Sequence, residues 1–347
     1  MTAAMEDITI DRLLELQASR ELVLVDVRSP QEYEDSTIPG SLNIPFFDDQ
    51  ERAEIGTLYK QVSIQAAKDR GLEIISAKLP GFIREFAAIP GRKAVFCWRG
   101  GMRSRTTATL LSLMDIRVYR LSGGYRAFRR WVVETLESYE FTQKAVVLNG
   151  NTGCAKTAIL RQLEEEGYPV IDLERMAGHR GSIFGQIGVK PNNQKTFEAL
   201  LALRLEQLKS SPYVLMEAES KRIGKVCLPP FLAEAKDRGR QLVLELPPEA
   251  RVRYIVSEYE PHLHKDEVLD AFRHIKRRIH TPDAAEIERS IREDRFSDAV
   301  ALLLTAYYDP RYEHAGAGLL PEQKTHIRAA TFEEAYRRVK EQIRESE

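Results

Sequence analysis

Phe96-Cys97-Trp98-Arg99-Gly100-Gly101-Met102-Arg103-Ser104 reads as a strand end, a cysteine, a glycine-bearing turn and the start of a helix. Such a loop curls its backbone N–H groups toward one centre, and the helix N-terminus adds partial positive charge to the full charges of Arg99 and Arg103. Each contribution favours an anion, so Cys97 is expected to be a nucleophilic thiolate able to carry a persulfide or perselenide. The competing reading is a plain core cysteine after a strand, against which the paired glycines and flanking arginines count.

Outward from this loop, Leu22 to Val27 and Ala94 to Phe96 are short apolar strand runs, and Arg103 to Met114 has helical character. A strand at Val118 to Leu121 meets Gly123-Gly124, and an amphipathic stretch from Tyr125 to Glu137 follows. This pattern predicts an α/β domain over residues 1–140. A second α/β domain is expected over 141–248, because Ala145 to Leu148 runs into a glycine loop and a helix, and further strands alternate with helical stretches in the manner of a parallel sheet. After Pro247-Pro248 the pattern is almost wholly helical, giving a helical C-terminal region, 249–347, packed on the second domain.

Composition narrows the classes. With 347 residues, 43% hydrophobic and 30% charged, the chain is expected to fold as about two globular domains. It contains no apolar run of the roughly 18–20 residues that span a bilayer, and acids near the N-terminus argue against a signal peptide, so a soluble cytoplasmic protein without a membrane partner is expected. Cys97, Cys154 and Cys227 form no CxxC pair and are too few for a disulfide framework. A net charge of −1 excludes a global field for nucleic acid, so a polyanionic partner needs a local patch.

Gly150-Asn151-Thr152-Gly153-Cys154-Ala155-Lys156-Thr157 follows a strand and opens a helix, as a Walker A phosphate loop does. Its N–H groups are expected to wrap a phosphate or diphosphate, with Lys156 facing the terminal phosphate and the Thr157 hydroxyl meeting Mg²⁺ if a metal is bound. Ala155 replaces the last glycine of the pattern, and a Cβ there crowds a position that needs close approach or φ > 0. Cys154 belongs to the loop without a catalytic role. Glu217 and Glu219 follow the strand Tyr213 to Met216, where a metal-associated acid or a solvated strand end is expected.

Asp26-Val27-Arg28-Ser29-Pro30-x-Glu32-Tyr33 with Ile38-Pro39-Gly40-Ser41-Leu42-Asn43-Ile44-Pro45 resembles the rhodanese signature, and the cysteine loop sits where rhodaneses keep their catalytic cysteine. By that resemblance Cys97 carries the chalcogen, Arg99 and Arg103 line its cradle, and the first domain is rhodanese-like. The whole chain resembles the bacterial tRNA 2-selenouridine synthase family. Beyond the two loops, the likeness extends to Gly56-Thr57-Leu58-Tyr59-Lys60-Gln61, Glu217-Ala218-Glu219-Ser220-Lys221-Arg222-Ile223-Gly224 and Tyr307-Tyr308-Asp309-Pro310-x-Tyr312. The resemblance implies a P-loop NTPase-like second domain and two exchanges at the wobble uridine of tRNAs for Lys, Glu and Gln. In these, 2-thiouridine is S-geranylated from geranyl diphosphate, and selenophosphate from a supplying enzyme then gives 2-selenouridine, with Cys97 as S-selanylcysteine. No tightly bound cofactor is implied.

A near-neutral chain must concentrate positive charge to hold tRNA. Arg273-His274-Ile275-Lys276-Arg277-Arg278-Ile279-His280 is the densest basic run, and as a helix it would turn Ile275 and Ile279 inward and Arg273, Lys276, Arg277 and His280 outward or sideways, with Arg278 a further candidate for tRNA and Arg222 and Lys225 extending the surface. A solvated helix face is the plainer reading. Two other functions fit the loops: a sulfurtransferase with an ATP-dependent partner domain, and a non-enzymatic sensor of sulfur or selenium status.

Overall fold

The structure is a computed structural model that describes residues 5–19, 22–311 and 321–344. The chain divides into two compact units after Ser138.

In the first unit, strands β1 (Glu6–Ile8), β2 (Leu22–Asp26), β3 (Leu42–Asn43), β4 (Arg92–Phe96) and β5 (Val118–Leu121) form a parallel sheet in the order β1-β5-β4-β2-β3. Helices cover a parallel sheet on both faces, which is why its central strands read as unbroken apolar runs. Leu24, Val25, Ala94, Val95 and Phe96 are all buried, and Val25 and Val95 pack with Phe82, Phe86 and Leu111 from the covering helices. β4 lies inside the sheet and ends at Phe96, so the residue after it stands at the carboxyl edge where α/β sheets place their ligands.

The second unit repeats the logic with β6 (Lys144–Gly150), β7 (Val170–Ile171), β8 (Tyr213–Glu217), a hairpin of β9 (Arg222–Ile223) and β10 (Val226–Cys227), β11 (Arg240–Glu245) and β12 (Lys324–Arg328). The main sheet runs β12-β11-β6-β8-β7, all parallel. β6 is central and carries the phosphate loop at its carboxyl end. The C-terminal region is helical but for one strand, β12. Lys-Thr-His-Ile-Arg escapes a hydropathy reading because an edge strand buries little, and here only Ile327 is fully buried. The helix Phe332–Arg344 then lays Ala335, Val339 and Ile343 against Leu160 and Ile327 in the same core.

Helices Pro248–Tyr259, Lys265–Ile275, Thr281–Arg292 and Phe296–Leu303 build a further apolar cluster around Phe272, Ile287 and Phe296. Phe296–Leu303 continues into a π-helical turn, Leu304–Tyr308. Among the described residues no helix is long and apolar enough to cross a membrane.

Candidate active sites and family

Cys97 is buried directly after β4, and its Sγ lies 3.2 Å from the Ser104 hydroxyl in the first turn of helix Met102–Leu113. The loop is held by its backbone: the Cys97 and Trp98 carbonyls accept from the N–H groups of Tyr125 and Arg126, each at 2.9 Å. Close approach explains two glycines. Gly100 has φ +63° and packs on the backbone of Leu121 and Gly123, while a Cβ on Gly124 would stand 2.1 Å from the Cys97 carbonyl oxygen.

The rhodanese-like signature supports this loop from below. Arg28 and Asp26 form a buried bidentate pair, with Arg28 Nη2 2.6 Å from the Asp26 carboxylate and also 2.6 Å from the Ser36 carbonyl. The Arg28 guanidinium lies 4.3 Å from the ring centre of Tyr125, the residue whose N–H holds Cys97. Arg99 is exposed in the loop, but Arg103 donates to both oxygens of Glu32, at 2.5 and 3.2 Å, so its guanidinium is committed to pinning the helix that follows Cys97. Burial pushes the Glu32 carboxyl upward, yet the hydrogen bond and charge of Arg103, with the Ser29 N–H, hold it below the usual range. Ser104 belongs to the cysteine loop but nothing in the sequence singles it out as the neighbour of the sulfur, and Arg120, whose Nη1 donates to the Gly100 carbonyl at 3.0 Å, is a single polar residue with no pattern around it.

In the second unit Asn151 to Ala155 turn between β6 and the helix Lys156–Glu165. Ala155 adopts φ 55°, ψ 26°, the left-handed conformation that a glycine takes without strain. Lys156 Nζ donates to the Gly150 and Asn151 carbonyls at 2.8 and 3.4 Å, and the Thr157 hydroxyl donates to Glu174 Oε2 at 2.7 Å. Cys154 is buried in the core beneath the loop.

The two acids after β8 part company. Glu217 is fully buried, accepts from the Leu173 N–H at 3.0 Å and leaves Oε1 without a partner among the described residues. Burial, with Asp172 and Glu174 close by, raises its pKa well above the ordinary carboxyl value. It is neither a solvated strand end nor a wall of the cleft. Glu219 does line the cleft at the phosphate loop, a space of about 500 Å³ that also includes Lys156, Thr157, Glu174, Arg180 and Arg311. Glu174 is pushed to about 7, by burial first and by Glu219 second. Sequence reading passed over it because Leu-Glu-Arg-Met-Ala looks like ordinary amphipathic helix. The stretch after Glu219 forms the β9–β10 hairpin, whose Gly224, at φ +55°, packs against the His179 ring.

Beside the cleft lies a narrow apolar pocket of about 60 Å³ walled by Phe184, Val268, Phe296 and Leu303, and the two spaces share Thr152, Ile255, Tyr259 and Tyr308. The Tyr307-Tyr308-Asp309 motif therefore belongs to both. Tyr308 lines them, while Asp309 accepts from Arg251 and from Asn151 of the loop. Tyr312 lies outside the described residues.

The basic run departs from its expected form. Ile275 and Ile279 are buried as predicted, but the helix ends at Ile275, and Lys276–Arg278 form a 3-10 turn before the Thr281-Pro282 start of the next helix. Arg273 pairs with Asp270 and Lys276 with Glu288. Arg277 and Arg278 are exposed, and so are Arg222 and Lys225 on the separate hairpin.

Comparison with known proteins agrees with both halves of this geometry. A family model of the rhodanese-like domain matches residues 9–130, and one described as the tRNA 2-selenouridine synthase AAA domain matches 143–346. Relatives named tRNA 2-selenouridine synthase include that of Nitrosomonas europaea, 34% identical over 73% of this chain and 67% of its own. Those of Sulfurovum sp. and Hydrogenovibrio crunogenus are 30% and 31% identical, covering 84% and 85% of this chain and 88% and 89% of theirs. With a rhodanese-like unit built around Cys97, a phosphate-loop unit built around Lys156, and relatives matched across most of its length, the chain belongs to the tRNA 2-selenouridine synthase family.

Proposed function

We propose that this chain converts 2-thiouridine at the wobble position of tRNAs for Lys, Glu and Gln to 2-selenouridine, through an S-geranyl intermediate. The observation that carries the reading is that an apolar pocket shares walls with a phosphate-loop cleft lined by Lys156, Arg180 and Arg311 beside Glu174, Glu219 and Glu258, since a prenyl diphosphate is an apolar chain joined to a diphosphate; the pocket, about 60 Å³, has to widen to take the chain.

In the first exchange the thiocarbonyl sulfur attacks C1 of the geranyl group, the C1–O bond breaks, diphosphate departs and the uracil N3 proton is released. Lys156, Arg180 and Arg311 line the cleft in which the leaving diphosphate gathers charge. A Mg²⁺ ion brought in with the diphosphate would find hard oxygen donors in Thr157, Glu174 and Glu219, where it would offset phosphate charge. In the second exchange the selenium of selenophosphate, delivered by an enzyme that makes it, bonds to C2 as the C2–S bond breaks and geranylthiol leaves, and water then takes the phosphoryl group from selenium to release phosphate, with Cys97 as the residue that holds the incoming selenium group at the redox level it arrives in. Ser104, 3.2 Å from Sγ, is placed to hydrogen-bond the sulfur that carries it.

Nucleoside mass spectrometry of tRNA incubated with the protein, geranyl diphosphate and selenophosphate tests the reading. Cys97→Ser is expected to accumulate S-geranyl-2-thiouridine and form no 2-selenouridine. Lys156→Ala is expected to slow geranylation while still converting pre-geranylated tRNA. Selenouridine formed by Cys97→Ser, or an equal loss of both steps in Lys156→Ala, counts against these roles.

A further inference from the structure

The phosphate loop is tied to the helices that wall the apolar pocket. Arg251, only 4% exposed, donates Nε to the Thr152 carbonyl at 2.8 Å, and its two terminal nitrogens reach the Asp309 carboxylate at 3.0 and 2.6 Å. Asp309 Oδ1 also accepts from Asn151 Nδ2 at 3.1 Å. Two loop residues thus hang on one ion pair, its arginine buried and its aspartate 27% exposed, whose planar, forked geometry leaves little play.

The partners of the pair stand on pocket walls. Ile255 and Tyr259 follow Arg251 at intervals of four, on one face of helix Pro248–Tyr259. On the other side Leu303, Leu304 and Tyr308 line the pocket immediately before Asp309. The π-helical turn helps present both, for it ends with the Asp309 N–H bonded to the Leu304 carbonyl, five residues back. Gly153 closes the contact from the loop side, since a Cβ there would stand 2.8 Å from Ile255 Cδ1 and 3.1 Å from the Arg251 backbone.

We infer that Arg251 and Asp309 are positioning residues that hold the phosphate loop in register with the apolar pocket, so that one ligand engages both at once. The inference rests on the prenyl diphosphate reading and names what makes its two subsites act as one. Binding two linked groups gains over binding either alone only when the subsites keep their spacing. Lys156 and the loop N–H groups hold a diphosphate without help from the pocket, so loosening the clamp removes the gain from the chain and spares the diphosphate.

Isothermal titration of the full-length protein with geranyl diphosphate and with inorganic diphosphate tests this. The wild type is expected to bind the prenylated ligand more tightly. Asp309→Asn keeps the shape and removes the charge, and is expected to weaken geranyl diphosphate by about tenfold or more while changing inorganic diphosphate by less than about threefold, within the usual range of coupling between sites. A parallel loss for both ligands, or no loss for either, overturns the inference. If Asp309→Asn does not fold, Asn151→Ala removes only the direct loop link and should show the same selective loss at smaller size; its absence is equally decisive. A wild type that binds both ligands alike instead overturns the prenyl diphosphate reading, and the clamp with it.

Discussion

Ala155 states the residue-scale problem. An L-residue in the left-handed region costs roughly 1–2 kcal/mol, and Ala155 bears that at φ 55° in a buried position. Glycine relieves the strain but loses roughly 0.5–1 kcal/mol through its freer unfolded chain. Ala155→Gly should therefore shift stability by less than about 1 kcal/mol in urea unfolding, whereas Ala155→Val, β-branched at positive φ, should cost more than about 2 kcal/mol. Equal stability of the two variants would mean that the backbone at 155 relaxes freely. Glu32 gives a pH dependence. Its folded-state pKa is depressed, so its contribution is complete above the ordinary glutamate value and is lost as pH falls through the folded value. Denaturant melts between pH 6 and pH 3, near and below the roughly 4.3 of a free glutamate, should show the wild type weakening while Glu32→Gln gives a flatter profile. Parallel profiles would remove the Arg103–Glu32 pair from the acid response.

Elements were legible where one segment carries its own pattern. The strands before Cys97 and before the phosphate loop are apolar on both faces because parallel sheets are covered on both sides, and glycines mark the turns that follow. The positive φ at Ala155 was readable for the same local reason. What sequence could not show is assembled from distant segments: the apolar pocket draws walls from Phe184, Ile255, Phe296 and Leu303, and Asp309 meets Asn151 across 158 positions. The basic run failed as one helix because Pro282 starts a new helix and restricts the residue before it, leaving only a tight turn between the two helices. Since Lys276 is paired and Arg277 and Arg278 are exposed, the last two are the better candidates for tRNA phosphates. Arg277→Glu with Arg278→Glu should weaken tRNA binding and reduce the logarithmic salt slope by about 0.7–0.9 for each phosphate no longer neutralised, at unchanged melting temperature. An unchanged slope would make the turn a solvated corner and leave tRNA to another surface.

At the scale of the whole molecule, the second unit is completed by residues far from its phosphate loop. Ile327, Val339 and Ile343 are buried against Leu160 and Leu242. Each such side chain contributes roughly 1.5–3 kcal/mol, so losing all three removes a large part of the ~5–15 kcal/mol that holds a typical domain. A chain ending at Arg311 should bind ANS and lose near-UV circular dichroism from this unit. Native-like cooperative melting would show that β12 and its helix are accessory. The strand order also has a consequence for biosynthesis. β12 pairs with β11 after the whole stretch from Glu245 to Lys324 has intervened. At ribosomal speeds of roughly 5–20 residues per second, the outer edge of β11 waits on the order of 4–15 seconds for its neighbour, its N–H and C=O groups open to any other extended chain. The nascent protein thus passes through a vulnerable interval whose length is set by the helices encoded between the two strands, and slow translation there lengthens the period in which a holdase chaperone has something to cover.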